Sequence, residues 1–497
     1  MKKFSILSVC VVVMMFVTAT AFAATDAIPG SGWWSGEQVQ NVGASATDIL
    51  VTAYDQSSPV NTYTASQNVA AGASFTFIPS HFSGMPEGFQ GSAVVSAANP
   101  IKAIVNITNK KNGALGVDGG KAAGQYQGLD SSVVATDLYF PLVKGDYYNK
   151  TTTFYIQNAG SAAATATATF SMQDGSTLTY ATPSIGANQM VAFTVLNAPG
   201  FNTSAAAGAS SRLGSLKVTS AQPLAGVVVE HFTTETVGTI IQTTRGFTAA
   251  DFDDKAYAPV IKNNFYNRFT GIQVQNVSAG AIDITITYNG AGKSGATDCV
   301  GESYTDTKTG VAAGASWTFV QRVGQSNLPD GCLATATITA TGNFVASVNE
   351  AYVTAPGTGQ RAVTSFAISD NSATTKVSIP LFKDDFYNKR SGLQVQNVGA
   401  AAATNIVAEF KCTTEGGASF TATSKALTAA SGGSVLFINT NTQDTLFPSP
   451  NPFQDHANCG VTITADQPIV AIVNESPTPG GPVDQDNNNY EGFNLVP

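Results

Sequence analysis

Charge is what this 497-residue chain has least of. Lys, Arg, Asp and Glu together make up 11% of it, and the balance is acidic at −9. A nucleic-acid surface needs clustered Lys and Arg to displace phosphate counterions, and docking on anionic lipid needs the same, so both partner classes are excluded. Histidine is nearly missing. His81, His231 and His456 fall at unrelated places, and no Gly-x-Ser-x-Gly elbow accompanies them. The chain therefore reads as no enzyme. Beyond the first two dozen residues no apolar run approaches the ~20 residues of a membrane helix. No sustained helical period appears either. Yet 43% of residues are hydrophobic and periodically placed, which excludes disorder.

What is present is repetition. FPLVKGDYYNKTTTFYIQN (140–158), APVIKNNFYNRFTGIQVQN (258–276) and IPLFKDDFYNKRSGLQVQN (379–397) are one phrase, and IPGSGWWSGEQVQN (28–41) is a clipped fourth copy. The closing Asn falls at 41, 158, 276 and 397, in steps of 117, 118 and 121 residues. That is too long for a solenoid turn and suits a small domain.

A second phrase closes each copy: VSAANPIKAIVNI (95–107), VTSAQPLAGVVVE (218–230), ITATGNFVASVNE (338–350) and ITADQPIVAIVNE (463–475). Alternation of apolar and polar residues, a turn dipeptide, then renewed alternation predicts a hairpin of two half-buried strands. TATATATF (163–170) and DITITY (283–288) add further strands. About seven short strands in ~120 residues is the inventory of an all-β antiparallel sandwich.

Residues 1–23 read as a secretory signal peptide: Lys2 and Lys3, an apolar run over Val9–Val17, and the small-residue site Ala21-Phe22-Ala23. Cys10 leaves with it. Cys299, Cys332, Cys412 and Cys459 remain, two in each of the last two repeats. In an exported chain they read as disulfides, 299–332 and 412–459, because pairing within a repeat needs no strand exchange.

Signal peptide, tandem β modules, module-internal cysteines and Thr/Ala/Asn-rich strands together resemble bacterial secreted or cell-surface proteins built from tandem immunoglobulin-like β-sandwich repeats. The resemblance spans the mature chain and implies four such domains: 24–130 (with a shortened first strand), 131–248, 249–370 and 371–497. It carries over no catalytic or binding residue.

Candidate chemistry is sparse. NGAGKSG (289–295) has the Gly-Lys-Ser of a phosphate loop, but Thr287 stands where that loop needs its first Gly and no helix follows, so it reads as a turn. Asp251, Asp253 and Asp254 are calcium candidates at a repeat start, as are Asp384 and Asp385. Asp484 to Asn488 imitates an EF-hand opening but has Leu495 where the bidentate Glu belongs. The paired aromatics Trp33-Trp34, Tyr147-Tyr148, Phe265-Tyr266 and Phe386-Tyr387 recur in the opening phrase. Recurrence at one framework position favours a structural role, with Trp33 and Trp34 the glycan-stacking candidates at the free end.

The expectation is a non-catalytic extracellular structural or adhesive protein without cofactor, whose partners are itself, other surface proteins or polysaccharide. The alternative is a glycan-binding array that tethers cells or enzymes. The clipped first phrase and the tail YEGFNLVP, which resembles YQGLD (126–130), suggest end-to-end joining of an unpaired edge with a spare connector.

Overall fold

The computed structural model describes residues 8–12, 28, 32–109, 123–131, 133–232, 241–294, 298–322, 324–352, 363–438, 445–478 and 488–495. They form an all-β structure of antiparallel strands with only short 3-10 turns between them. The chain divides into two compact units, Met1–Ala250 and Asp251–Pro497. Each unit carries two successive copies of one strand pattern, joined by its own sheets.

In that pattern the opening phrase supplies one strand: Trp33–Asn41, Lys150–Asn158, Arg268–Asn276 and Lys389–Asn397. It lies beside the second half of the closing phrase, with Asn41 opposite Ile101 and Asn276 opposite Phe344. The alternation read in the sequence holds here. Ile282, Ile284, Ile286 and Tyr288 are buried while Asp283, Thr285 and Thr287 face outward, and Ala166, Ala168 and Phe170 repeat the scheme. Period-two alternation puts one face of each sheet in the core.

The closing phrase differs from expectation. It is not a hairpin, because its halves never pair with each other. In Leu213–Phe232, Cys332–Tyr352 and Ala457–Pro477 it is one long strand. Its first half pairs with the leading strand, the one just before the opening-phrase strand (Ala135–Lys144, Asp253–Asn263, Thr374–Asp384), and its second half with the opening-phrase strand. The Gln-Pro and Gly-Asn dipeptides mark where this strand passes from one sheet to the other. A residue without an N–H is tolerated there because the ladder is already shifting.

The tail is also reassigned. Asn488–Glu491 pairs with Ile472–Glu475, and Phe493–Asn494 pairs with Val377 and Ser378. Gly492 sits at the crossing, where a Cβ would lie 2.4 Å from Val377 Cγ1. YQGLD does the same for the first pattern, as Ala123–Gln127 and then Leu129–Asp130. The tail is thus the last strand of its own sandwich rather than a spare connector, and end-to-end joining through it is withdrawn.

The phrase-ending Asn ties each pattern together. Asn276 is fully buried; its Nδ2 donates to the carbonyls of Gly280 (2.7 Å) and Val311 (2.8 Å), and its Oδ1 accepts from the Ser278 N–H (2.8 Å). Asn41, Asn158 and Asn397 repeat this with Ser45, Val69 and Gly43, with Ala162, Ile185 and Gly160, and with Ala401, Ala429 and Gly399. One side chain thereby joins the loop after its own strand to the strand end across the sandwich. Replacing Asn276 with Ala strands two buried carbonyls and an N–H, so urea unfolding of the second unit is expected to lose about 3 kcal/mol. A loss under about 0.5 kcal/mol would place it among neutral surface changes and refute this role.

Candidate functional site

Three of the four patterns share an ion triad around a buried carboxylate at the base of a hairpin. In three patterns the leading strand turns into the opening phrase through two residues of positive φ: Tyr148-Asn149 (49° and 62°), Tyr266-Asn267 (50° and 60°) and Tyr387-Asn388 (48° and 59°). Tyr147 bridges Lys150, Phe265 bridges Arg268 and Phe386 bridges Lys389, which closes a two-residue turn of type I′. Just inside, Glu230 receives Lys144 (2.7 Å) and Lys150 (3.0 Å). Glu350 receives Lys262 (2.7 Å) and Arg268 (2.8 Å), and Glu475 receives Lys383 (2.7 Å) and Lys389 (3.1 Å). The three carboxylates are buried.

Burial by itself would raise Glu230 and Glu475, but the two cations beside each outweigh it and hold them at about 2. The same burial pulls Lys144 and Lys383 below the usual lysine value, with their glutamates opposing it. These pairs clamp the hairpin to the long strand, and neither charge is free to do chemistry.

The aromatic at the turn tip is exposed instead: 64% for Tyr148, 70% for Tyr266 and 66% for Tyr387. Each stands edge-on against its neighbour, with ring centres 4.8, 4.7 and 4.6 Å apart. Trp33 and Trp34 do not share this place. By register Trp33, opposite Asn109, corresponds to Lys150, opposite Phe232. Trp33 is buried in the first core and Trp34 packs against it. Trp33 is therefore corrected from stacking platform to core residue, because an inward strand position takes its indole out of solvent.

Asp253 is buried and its Oδ1 accepts from the Asp254 N–H (2.9 Å), while Oδ2 accepts from Asn371 N–H (2.8 Å). It is a backbone cap. Asp254 is exposed and Asp251 partly so, and the three carboxylates do not gather around a common point. Asp384 is buried. Among the described residues, Asp385, Asp455 and His456 do converge, with one ligand atom from each within 4.8 Å of the others. His456 Nδ1 already donates to the Asp385 carbonyl (3.0 Å), which together with the nearby carboxylates raises its pKa. Asp484 and Asp486 lie outside the described residues. His231 is buried, with Nε2 on the Thr153 hydroxyl (2.8 Å) and Nδ1 on the Phe232 carbonyl (2.7 Å), and burial lowers its pKa. Residues 289–293 of the phosphate-loop lookalike are the end of a strand, and Lys293 pairs with Asp298 (2.9 Å).

Cys299 is bonded to Cys332 (2.14 Å) and Cys412 to Cys459 (2.01 Å), across 33 and 47 residues. Loops of that length correspond to roughly 4 kcal/mol per bridge in the chain-entropy model. Such bonds fit an oxidising environment. No helix among the described residues is long and apolar enough to cross a membrane.

The first pattern departs from the other three. Ile107 stands where they have Glu, and Trp33 where they have Lys or Arg. Glu37 takes the core position of Phe154, Ile272 and Leu393, with neither oxygen hydrogen-bonded, and burial raises it to about 8.

No family model matches the chain, and no curated protein matches it. Among solved structures, one described as a tetra-tandem repeat in the extending region of a large adhesion protein aligns over 91% of this chain and 92% of its own, at 12% identity and a TM-score of 0.11. At those values the likeness carries no argument.

Two substitutions test the electrostatics. A carboxyl depressed in the fold contributes stability that is complete above its unfolded value of 4.5 and is lost as pH falls toward about 2. Glu475→Gln is expected to cost about 3–5 kcal/mol at neutral pH by leaving Lys383 and Lys389 buried without a counter-charge. Thermal melts should show that deficit shrinking below pH 4.5, and a pH-independent deficit would refute the account. Glu37 has the opposite sign: its pKa is raised, so its stability contribution is lost as pH climbs from 4.5 to about 8. Glu37→Leu, which copies Leu393, is expected to raise the melting temperature of the first unit, more at pH 8.5 than at pH 5. An equal or negative shift at pH 8.5 would show that Glu37 has a partner.

Proposed function

We propose that the chain is a non-catalytic extracellular structural or adhesive protein, an array of sandwich modules at or outside the cell surface. The observation that carries this reading is where the recurrent polar residues go. The four phrase-ending Asn and the three Lys–Glu–Lys/Arg triads recur from repeat to repeat, and all of them are consumed in joining strand to strand. Repetition here maintains a framework rather than copies of a reacting centre. Function on such a framework belongs to surfaces.

A second reading, glycan binding, is favoured by one observation: Tyr148, Tyr266 and Tyr387 present an aromatic ring with an exposed Asn beside it at the same turn in three patterns. A planar ring with polar neighbours suits a sugar face, and three weak contacts in one chain add by avidity.

Immunogold labelling of producing cells, with attachment assays on a deletion strain, tests the first reading. Label on the envelope and reduced attachment are expected; protein found only free in the medium, turning over esters, peptides or glycosides, would sink it. Affinity electrophoresis through polysaccharide gels separates the second. Retardation that disappears when all three tyrosines become Ala moves the assignment to glycan binding.

A further inference from the structure

Three strand patterns carry their own leading strand, but the first takes it from Ser8–Val12. This segment pairs antiparallel with Gly91–Ala97, from Ser8 opposite Ala97 to Val12 opposite Ala93, and its other edge meets Leu129 and Asp130. The leading strand of the fourth pattern sits identically, between Ala457–Pro477 and Phe493–Asn494. The five residues lie in the middle of the segment that reads as a cleavable signal peptide. Removing that segment leaves two hydrogen-bonding strand edges facing each other across one missing strand. Ile28, which follows the leader, is buried in the first core while Ser8–Val12 occupies the slot. The two places are therefore distinct.

Two buried polar groups mark the slot as unfinished. Tyr126 stands opposite Val105 as Tyr490 stands opposite Val473. Tyr490 Oη bonds both the N–H (3.0 Å) and the carbonyl of Leu381, at the bulge of its leading strand. Tyr126 Oη is buried with no hydrogen-bond partner, and so are both oxygens of Glu37. Glu37 lies two residues along from Ser35, on the same face, and Ser35 is the register partner of Ile107. Ile107 is where the other patterns place the glutamate that receives the lysine of the leading strand. The first pattern thus holds a carboxyl near the place where such a lysine would arrive, but has no lysine to meet it.

We infer that the exported chain, its leader removed, presents this slot as a docking groove for an extended segment of a partner polypeptide. The chemistry required is that of the three resident leading strands: an apolar residue, proline, two apolar residues and lysine, as in Phe140–Lys144, Ala258–Lys262 and Ile379–Lys383. The inserted backbone restores both ladders and gives Tyr126 the partner that Tyr490 has, while the lysine meets Glu37. Orphan edges and orphan polar groups are satisfied by one insertion. This inference rests on the extracellular reading above.

The test uses the exported chain, its leader cut verified by mass, and a fluorescent peptide of sequence KVSIPLFK, copied from 376–383. Fluorescence anisotropy should report one-to-one binding. Precursor retaining residues 1–23 should not bind, and Tyr126→Phe should weaken binding about tenfold, the worth of one buried hydrogen bond. Replacing the second lysine of the peptide with Ala should weaken it further. Hydrogen exchange should show the slot-facing amides of 91–97, those not bonded to Thr47–Asp55, fast without peptide and slow with it. Absence of binding, equal binding by precursor, or those slot-facing amides protected without peptide would each overturn the inference; the last would mean that residues 24–32 or a second copy fills the slot. None of these outcomes touches the structural or adhesive reading, which is judged on cells.

Discussion

One buried asparagine per repeat is the constraint from which the rest of the fold is built. A sandwich of short strands joined by Gly, Ala and Ser turns has little side-chain volume at its ends to fix how the two sheets meet. Asn41, Asn158, Asn276 and Asn397 each do so with three short hydrogen bonds from one carboxamide, a group that only Gln shares, one methylene further from the backbone. The amide donates twice and accepts once, so loop, strand end and turn are held in one geometry. Aspartate would lose both donors and Leu all three bonds.

The Lys–Glu–Lys/Arg triads hold the other end. In a chain with so few charges, nine of them are committed to three buried clusters. Buried ion pairs contribute little net stability against an apolar alternative, but they penalise wrong pairings severely. The carboxylate on the long strand and the cations on either side of the hairpin fix which strand enters which sheet. That matters where several strands alternate Ala, Thr and Val alike, since such strands specify their register weakly. The first pattern dispenses with the triad: Ile107 and Trp33 stand where the other three have the glutamate and the second cation, and its leading strand is Ser8–Val12.

The all-β class, the alternation and the repeat spacing were legible because each rests on local pattern. Strand faces followed from Ile282, Ile284 and Ile286, and the recurrent Asn was visible as the end of a phrase. What failed was non-local. VTSAQPLAGVVVE looks like a hairpin because Gln-Pro resembles a turn, and only the pairing of its halves with different strands shows a continuous crossing. YEGFNLVP reads as spare because the partners of Phe493 and Asn494 lie over a hundred residues earlier in sequence, at Ser378 and Val377. Trp33-Trp34 resembles Tyr147-Tyr148 as a paired aromatic, whereas register puts Trp33 three residues further along, at the place of Lys150 and facing inward. The triads had a signal that went unread: lysine and then Lys or Arg around each hairpin, and a glutamate ending each of three closing phrases.

The way two patterns combine within a unit follows from their outer faces. In the first unit Ser92 Oγ donates to the Asn188 carbonyl, and Thr243 Oγ1 to the Gln125 carbonyl (2.7 Å). In the second, Thr335 Oγ1 donates to the Gly432 carbonyl (2.9 Å). Ser92 and Thr335 hold the same place ahead of the closing phrase, on Gly91–Ala97 and Cys332–Tyr352, and Asn188 and Gly432 are the same positive-φ turn residue, at 61° and 75°. The contact is thus made twice by equivalent atoms. Tyr155, Met190, Val227, Val229 and Ile241, from the second pattern, belong to the hydrophobic cluster of the first. An opening-phrase strand whose two faces are both buried has no solvent side to spend on recognition. The surfaces open to partners are therefore the hairpin tips, the outer strands and any unfilled strand position.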